Sequence, residues 1–66
     1  MGEYAINVMK HMDFYVEKIK TANDYTSLWH LIYEDARDDK YISYGRWNEL
    51  CRLANPILYS LGRDKK

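Results

Sequence analysis

The sequence has too few cysteine, histidine, glycine and proline residues for several common kinds of small protein. One cysteine excludes an intramolecular disulfide, and two histidines leave a structural zinc site without enough ligands. Three glycines and one proline are too few for a β protein with many tight turns. Acidic and basic residues balance at ten each, which disfavours a general polyanion binder because affinity for phosphates grows with the number of cations.

The sequence also lacks the segments that target a protein to a membrane. Its first residues, Met1-Gly2-Glu3-Tyr4, carry neither a basic start nor a long apolar run, so we expect no signal peptide. No uninterrupted apolar run is longer than Leu31-Ile32-Tyr33, whereas a membrane helix needs roughly 20 residues. A single cysteine fits a reducing compartment. We therefore predict a cytoplasmic protein with no membrane partner.

Helical periodicity is the main positive signal, and it occurs in three segments. Apolar residues recur at intervals of three and four over about residues 3–22, 25–37 and 43–61, with polar residues on the opposite faces. The connections between these segments are short, which places consecutive helices side by side. We predict an all-α fold, a compact three-helix bundle that forms a single domain over residues 1–66, with a polar tail at 63–66.

The same periodicity predicts which side chains form the core. For the first helix these are Ala5, Met9, Met12, Val16 and Ile19, with Val8, Tyr15 and Ala22 at one edge of the face. For the second they are Tyr25, Leu28, Trp29, Ile32 and Ala36. For the third they are Trp47, Leu50, Cys51, Ala54, Leu58 and Leu61, with Ile57 at the edge. Both tryptophans lie on apolar faces, so we expect both to be largely buried.

Short polar side chains indicate where the second and third helices begin. Asp24, Thr26 or Ser27 is a suitable N-cap for the second helix, since each can accept a hydrogen bond from a first-turn amide. Ser43 is the expected N-cap of the third. It is preceded by Ile42, which forms a hydrophobic staple with Trp47.

The end of the third helix contains a proline and a glycine with opposite expected effects. Pro56 predicts a kink, because it removes a backbone donor and clashes with the preceding turn; a break at 54/55 with a new short helix is the alternative. Gly62 is expected to end the helix in a left-handed conformation.

No group of residues has the pattern of a catalytic or metal site. His30 and Glu34 are four residues apart, but a surface pair explains that spacing without further ligands. Cys51 lies on the predicted core face, away from any clear base. A calcium loop starting at Asp35 would place Arg37 and Arg46 where oxygen ligands are required. We predict a protein that is not an enzyme, with no cofactor, no metal and no small-molecule substrate.

Aromatic residues indicate a surface for a partner. Seven tyrosines are more than one small core needs, and tyrosine and arginine are favoured anchors in protein interfaces. On the third helix, two tyrosines, an asparagine and an arginine lie in a stripe outside the predicted core face. The predicted partner-binding stripe consists of Tyr44, Asn48, Arg52 and Tyr59, and Phe14 and Ile6 form a second predicted patch.

These features predict a small interaction or regulatory protein that binds and modulates or inhibits a larger protein. Its size is typical of regulators carried by bacteria or their phages, and self-association as a homodimer would also support so small a core. The alternative is a helix-turn-helix-like DNA-binding regulator that uses the helix at 43–61, because Asn48 and Arg52 can read base edges. The neighbouring acidic run, which includes Asp38 and Asp39, makes DNA the less favoured partner.

Overall fold

The structure, a computed structural model, describes the backbone of residues 2–64 and the side chains of residues 2–62. Regular secondary structure in this part of the chain is helical. Helix α1 spans Gly2–Lys20, helix α2 covers residues 25–36, and helix α3 spans Tyr44–Asp64. Helix α2 has two parts, α-helical over Tyr25–His30 and π-helical over Leu31–Ala36. The predicted all-α three-helix fold is confirmed.

Side-chain caps set the beginnings of α2 and α3. Asp24 Oδ2 accepts a hydrogen bond from the Ser27 backbone N–H at 2.8 Å, which makes Asp24 the cap among the three candidates. Ser43 Oγ accepts one from the Arg46 backbone N–H at 3.3 Å, so the predicted start of α3 is confirmed. Each oxygen pairs a first-turn amide that has no partner within its helix.

The predicted end of α3 is wrong. Helix α3 continues past Gly62 to Asp64, and no residue in the described range has a positive φ. Helix α3 also runs unbroken through Pro56, which excludes a new helix beginning there. Pro56 lies on the exposed side, where solvent can pair with the carbonyl that proline leaves without a helical donor. Of the predicted polar tail, residues 63 and 64 are part of α3, and 65 and 66 lie outside the described residues.

The core lies where α3 packs against α1 and against both parts of α2. Its buried cluster consists of Tyr15, Ile19, Leu28, Ile32, Ala36, Ile42, Leu50, Cys51, Ala54 and Leu58. Trp47 and Leu61 pack against this cluster while remaining partly exposed. No helix within residues 2–64 combines the length and the hydropathy needed to cross a membrane.

Helix α1 buries one edge of the predicted apolar arc more deeply than its centre, although Met12 and Val16 still pack against the core. Val8, Tyr15 and Ile19 are its buried residues, whereas Ala5 is exposed and Met9 is 65% exposed. The buried face is therefore rotated around α1 towards Val8. On this side of α1, the Tyr15 hydroxyl donates a hydrogen bond to Asp39 in the loop after α2, which connects the helix to the loop.

A side-chain contact coincides with the change of helical type in α2. Trp47 Nε1 donates a hydrogen bond to the Ile32 carbonyl at 2.9 Å, within the π-helical part. A π-helical turn widens the backbone hydrogen-bond spacing and is typical of points where a helix accommodates an outside group. This hydrogen bond holds α2 against α3, close to the aromatic side chains that lie between the two helices.

Candidate functional site: an aromatic groove

An open groove lies between α2 and α3, with a volume of about 620 Å³. We call it the aromatic groove. Its lining residues are Tyr25, Trp29, Tyr33, Asn55, Leu58, Tyr59 and Gly62. Four of these are aromatic and none is charged, so the groove presents large apolar rings with polar edges and no formal charge.

Helix α2 supplies one wall of the aromatic groove as an aromatic row. Tyr25, Trp29 and Tyr33 are spaced four residues apart, which places them on successive turns of one helix face. The Trp29 and Tyr33 rings lie 5.3 Å apart between centroids. The Tyr33 hydroxyl donates a hydrogen bond to Asn55 Oδ1 at 2.9 Å, which connects this wall to α3. Ring contact and hydrogen bond together fix the orientation of Tyr33.

The expectation that Trp29 is largely buried is wrong. Its side chain is 38% exposed, because the α2–α3 interface opens into the aromatic groove at this level. Trp47 differs: it is only partly exposed and its indole N–H is used by the Ile32 carbonyl. Trp29, by contrast, makes no side-chain hydrogen bond with the described residues. One tryptophan thus supports the fold, and the other is available at the surface.

Helix α3 supplies the opposite wall, with Gly62 at one end. A Cβ atom at position 62 would lie 3.5 Å from Cδ2 and Cε2 of Tyr25, which is ordinary van der Waals contact. The ring of Tyr25 therefore packs over the backbone of α3 at a point without a side chain. Tyr59, at 70% exposure, forms the outer rim of this wall.

A second hollow continues the aromatic surface beyond Tyr33. It is lined by Tyr33, Arg37, Ile42, Tyr44 and Trp47, and we call it the Tyr44 hollow. The Trp47 ring lies 5.9 Å from that of Tyr33 and 5.9 Å from that of Tyr44. Since Tyr33 lines both depressions, the aromatic groove and the Tyr44 hollow form one continuous surface with Arg37 at one end.

The predicted α3 stripe is divided between different surroundings. Tyr59 lines the aromatic groove and Tyr44 lines its own hollow, at 75% exposure. Arg52 is exposed and Asn48 is half-buried, but neither lines the groove or the hollow. The two tyrosines of the stripe thus belong to the continuous aromatic surface, and its two polar residues lie beside it.

The predicted second patch on α1 is exposed but not gathered into one feature. Phe14 and Ile6 are each 51% exposed and are separated by about 12 Å along the helix. The Phe14 ring is covered on one side by the Lys18 ammonium, 5.6 Å from its centroid. Neither residue lines the aromatic groove.

Sequence reasoning missed the α2 wall and Asn55. Helical periodicity places Tyr25 and Trp29 on the core face. Tyr25 does pack against the buried cluster, whereas Trp29 is 38% exposed, because periodicity does not show how far the next helix covers an apolar face. The available signal was chemical: Tyr25, Trp29 and Tyr33 all carry polar tips, as is usual for side chains at the edge of a core rather than at its centre.

Two titratable groups beneath the groove are held in their neutral forms. Burial raises the pKa of the Tyr33 hydroxyl, and the neighbouring Cys51 adds to that shift. Burial also raises the pKa of the Cys51 thiol, against a smaller opposing effect of the Tyr33 hydroxyl. A buried thiol with a raised pKa is a poor nucleophile at neutral pH.

A polar cluster lies beside the middle of α1, around Asp39 in the loop before α3. Asp39 Oδ2 accepts hydrogen bonds from His11 Nδ1 at 2.6 Å and from the Tyr15 hydroxyl at 2.8 Å, and Oδ1 accepts one from the Tyr41 backbone N–H at 2.9 Å. We call this group, Asp39 with His11, Tyr15 and Tyr41, the Asp39 cluster. Both carboxylate oxygens are occupied by protein donors.

The electrostatics of the Asp39 cluster favour an ionised carboxylate. Burial alone would raise the pKa of Asp39, but the hydrogen bonds from His11, the Tyr41 backbone and Tyr15 outweigh burial and lower it. Burial raises the pKa of Tyr15, and the hydrogen bond to Asp39 raises it further, so Tyr15 stays a donor. The cluster is a self-contained connection between α1 and the loop.

The other acidic side chains do not assemble into a metal site. Within the described residues, no group of three or more His, Cys, Asp or Glu side chains is placed to hold an ion. His30 Nδ1 and Glu34 Oε1 lie 2.9 Å apart as an exposed pair on α2.

No known protein family, curated protein or solved structure matches this chain.

Proposed function

We propose that the protein is a small, non-enzymatic interaction protein that binds a larger protein through the aromatic groove and thereby modulates or inhibits it. The observation that carries this proposal is the row of ring contacts from Trp29 through Tyr33 and Trp47 to Tyr44, whose two end rings are exposed beside the groove and the hollow. Aromatic side chains of this kind are the usual anchors of protein interfaces, because they remove a large area from water while keeping a polar tip.

The Trp29 position supports the proposal on energetic grounds. A small domain gains stability from every buried ring, yet 38% of Trp29 remains exposed at the groove although the same residue type is better covered at Trp47. An exposed indole beside three tyrosines is a costly surface unless a ligand covers it. A bound partner would cover the part of the Trp29 side chain that folding leaves exposed.

The mode of action that fits the size of the protein is occlusion. A chain of 66 residues can cover one site on a larger partner, or connect two partners, without chemistry of its own. We propose a cytoplasmic setting for this activity. A second copy of this chain is the alternative ligand of the groove. The oligomeric state in solution distinguishes such a homodimer from a complex with a different protein.

DNA binding through α3 remains the alternative function. Arg46 and Arg52 are both exposed on α3 and form no ion pair with the described residues. If duplex DNA is the ligand, Arg46→Ala and Arg52→Ala should weaken binding and reduce its salt dependence, since each neutralised phosphate releases counterions. A protein ligand at the groove should show little change with either substitution.

The test places a photo-crosslinking amino acid at Tyr59, inside the groove, or at Phe14, outside it. A specific partner should crosslink from position 59 and not from position 14, and Trp29→Ala should abolish the crosslink. Light scattering of the purified protein shows whether the crosslinked species is a second copy. Equal crosslinking from both positions, or crosslinking that Trp29→Ala leaves unchanged, would contradict the groove as the binding surface.

A further inference from the structure

We propose that the occupant of the aromatic groove is a proline-rich segment in the polyproline II conformation, with an acidic residue at the end that lies over Arg37. This inference rests on the proposed function and adds the chemistry of the partner to it. Three features of the described residues carry it: the shape of the aromatic surface, its hydrogen-bonding edges and its charge.

The rings form a ridge and not a cage. A cage for a quaternary ammonium group needs rings that surround an open centre, each within about 6 Å of the cation. Here consecutive rings contact one another, at 5.3 Å for Trp29 and Tyr33 and at 5.9 Å for Tyr33 and Trp47. No gap for a cation is left between these three rings, and the open space of the groove lies to one side of them, between the α2 wall and Tyr59. A continuous aromatic ridge beside a groove instead fits the flat pyrrolidine rings of a polyproline helix, which such surfaces bind.

The polar edges of the groove are suited to an extended backbone. The indole N–H of Trp29 makes no hydrogen bond with the described residues. The Asn55 side-chain oxygen accepts a hydrogen bond from the Tyr33 hydroxyl, so the amide N–H groups of Asn55 are the donors left for a ligand. A polyproline II segment has no internal hydrogen bonds, so all its carbonyls are free acceptors. An α-helical ligand uses its carbonyls internally and gains nothing from these donors.

The charges around the groove also favour one kind of ligand. The aromatic groove has no charged lining residue, which disfavours a strongly charged segment along its length. Arg37 lines the adjoining Tyr44 hollow and forms no ion pair with the described residues. An acidic residue of the ligand placed there would pair with it. From Tyr25 to Arg37 the helix rises by at most about 18 Å, since its second half is π-helical and therefore shorter per residue than an α-helix, and a polyproline helix spans that length with about five or six residues.

The experiment uses the full chain, isotopically labelled, and the indole N–H signals of its two tryptophans in two-dimensional NMR. The first probe is capped decaproline, and the second is a longer amphipathic peptide of leucine and glutamine that forms an α-helix. Decaproline should shift the Trp29 signal in a saturable manner and the Trp47 signal much less. The helical peptide should bind at least about fivefold more weakly.

Variants then locate the bound peptide. Trp29→Ala should weaken decaproline binding by roughly tenfold or more, as expected for an interface anchor, and Tyr59→Ala should also weaken it. Phe14→Ala removes an exposed ring outside the groove and should leave affinity unchanged. Each variant is first shown to retain a cooperative melt, and for Trp29→Ala, backbone amide signals replace the lost indole as the readout.

Acidic probes test the Arg37 end. Because a polyproline helix can lie in either direction, decaproline is extended with aspartate at its N-terminus in one peptide and at its C-terminus in another. One of the two should bind several-fold tighter than decaproline, and Arg37→Gln should remove that gain. If neither end improves binding, the charge assignment is wrong.

The outcomes separate this inference from the proposed function. If the helical peptide binds more tightly than decaproline and Trp29→Ala weakens it, the polyproline inference is overturned while the groove remains a protein-binding surface. The same conclusion follows if decaproline fails to bind but crosslinking from position 59 still depends on Trp29. If decaproline does not bind and crosslinking is also independent of Trp29, both proposals fail.

Discussion

The Asp39 cluster and the aromatic groove both contain tyrosines but differ in how far their side-chain polar groups are paired. In the cluster, both oxygens of Asp39 accept hydrogen bonds from protein donors. In the groove, the Tyr33 hydroxyl is paired with Asn55, but the indole N–H of the exposed Trp29 makes no hydrogen bond with the described residues. Tyrosine serves both regions: the hydroxyl of Tyr15 is buried against a carboxylate, while Tyr59 lies at the rim of the groove.

This difference teaches how to separate structural from functional polar groups in so small a chain. A side chain whose hydrogen bonds are complete within the protein contributes to stability and has little left for a ligand. A ring that is held in place by its neighbours but remains partly uncovered is prepared for binding at low entropic cost. Substitutions in the two regions should therefore affect different measurements.

The largest loss of stability is expected at Trp47. Trp47→Ala removes a ring packed against the core and the hydrogen bond to the Ile32 carbonyl, so the free energy of unfolding should fall by about 3 kcal/mol. Trp29→Ala should cost only about 1 kcal/mol, because that ring is partly exposed already. Urea unfolding followed by circular dichroism measures both. Equal losses of unfolding free energy would contradict the conclusion that Trp47 supports the fold while Trp29 serves the surface.

The next largest effect is expected at Asp39. Asp39→Ala leaves the buried Tyr15 hydroxyl without its acceptor and releases the loop before α3, which should cost about 2–3 kcal/mol. Asp38→Ala is the matched control, since Asp38 is the adjacent carboxylate and is exposed. Thermal melts of the two variants and the parent compare them. A large effect of Asp38→Ala would show that loop charge, and not the cluster, matters.

Acid should weaken the Asp39 cluster before it affects the groove. The pKa of Asp39 is lowered in the folded protein from its ordinary 3.8, so its ionised form is favoured by folding. That contribution is fully present above about pH 5 and is lost as pH falls through the lower, folded-state pKa. Asp39→Asn should flatten the acid limb of a stability-versus-pH curve. An unchanged acid limb in Asp39→Asn would assign acid sensitivity to other carboxylates.

The smallest effect on stability is expected at the edge of the aromatic surface. Tyr44 and Arg52 are both exposed, so the double variant Tyr44→Ala, Arg52→Ala should change the free energy of unfolding by only about 0.5 kcal/mol. If a protein is the ligand, Tyr44→Ala should weaken binding with modest salt dependence. A variant that unfolds would show that these side chains support the fold.

The candidate site could be predicted only in part. Tyr44 and Tyr59 were identified because both project from the polar side of an amphipathic helix, which is a property of one helix alone. Trp29 was assigned to the core, since its position relative to α2 is apolar and its exposure depends on where α3 lies. Asn55 gave no signal, because its role depends on the hydroxyl of Tyr33, which is 22 positions away in the sequence.

The sequence by itself determined the all-α class, the positions of the three helices and the cap at Ser43, because periodicity and capping depend on residues within one or two turns of each other. Only the tertiary structure decided which of three candidates caps α2, which part of the apolar face of α1 is most deeply buried, that α3 continues past Gly62, and that one tryptophan is better covered while the other borders a groove. These features depend on how neighbouring helices meet. Local pattern shows that a face is apolar, and only packing decides how much of that face is covered.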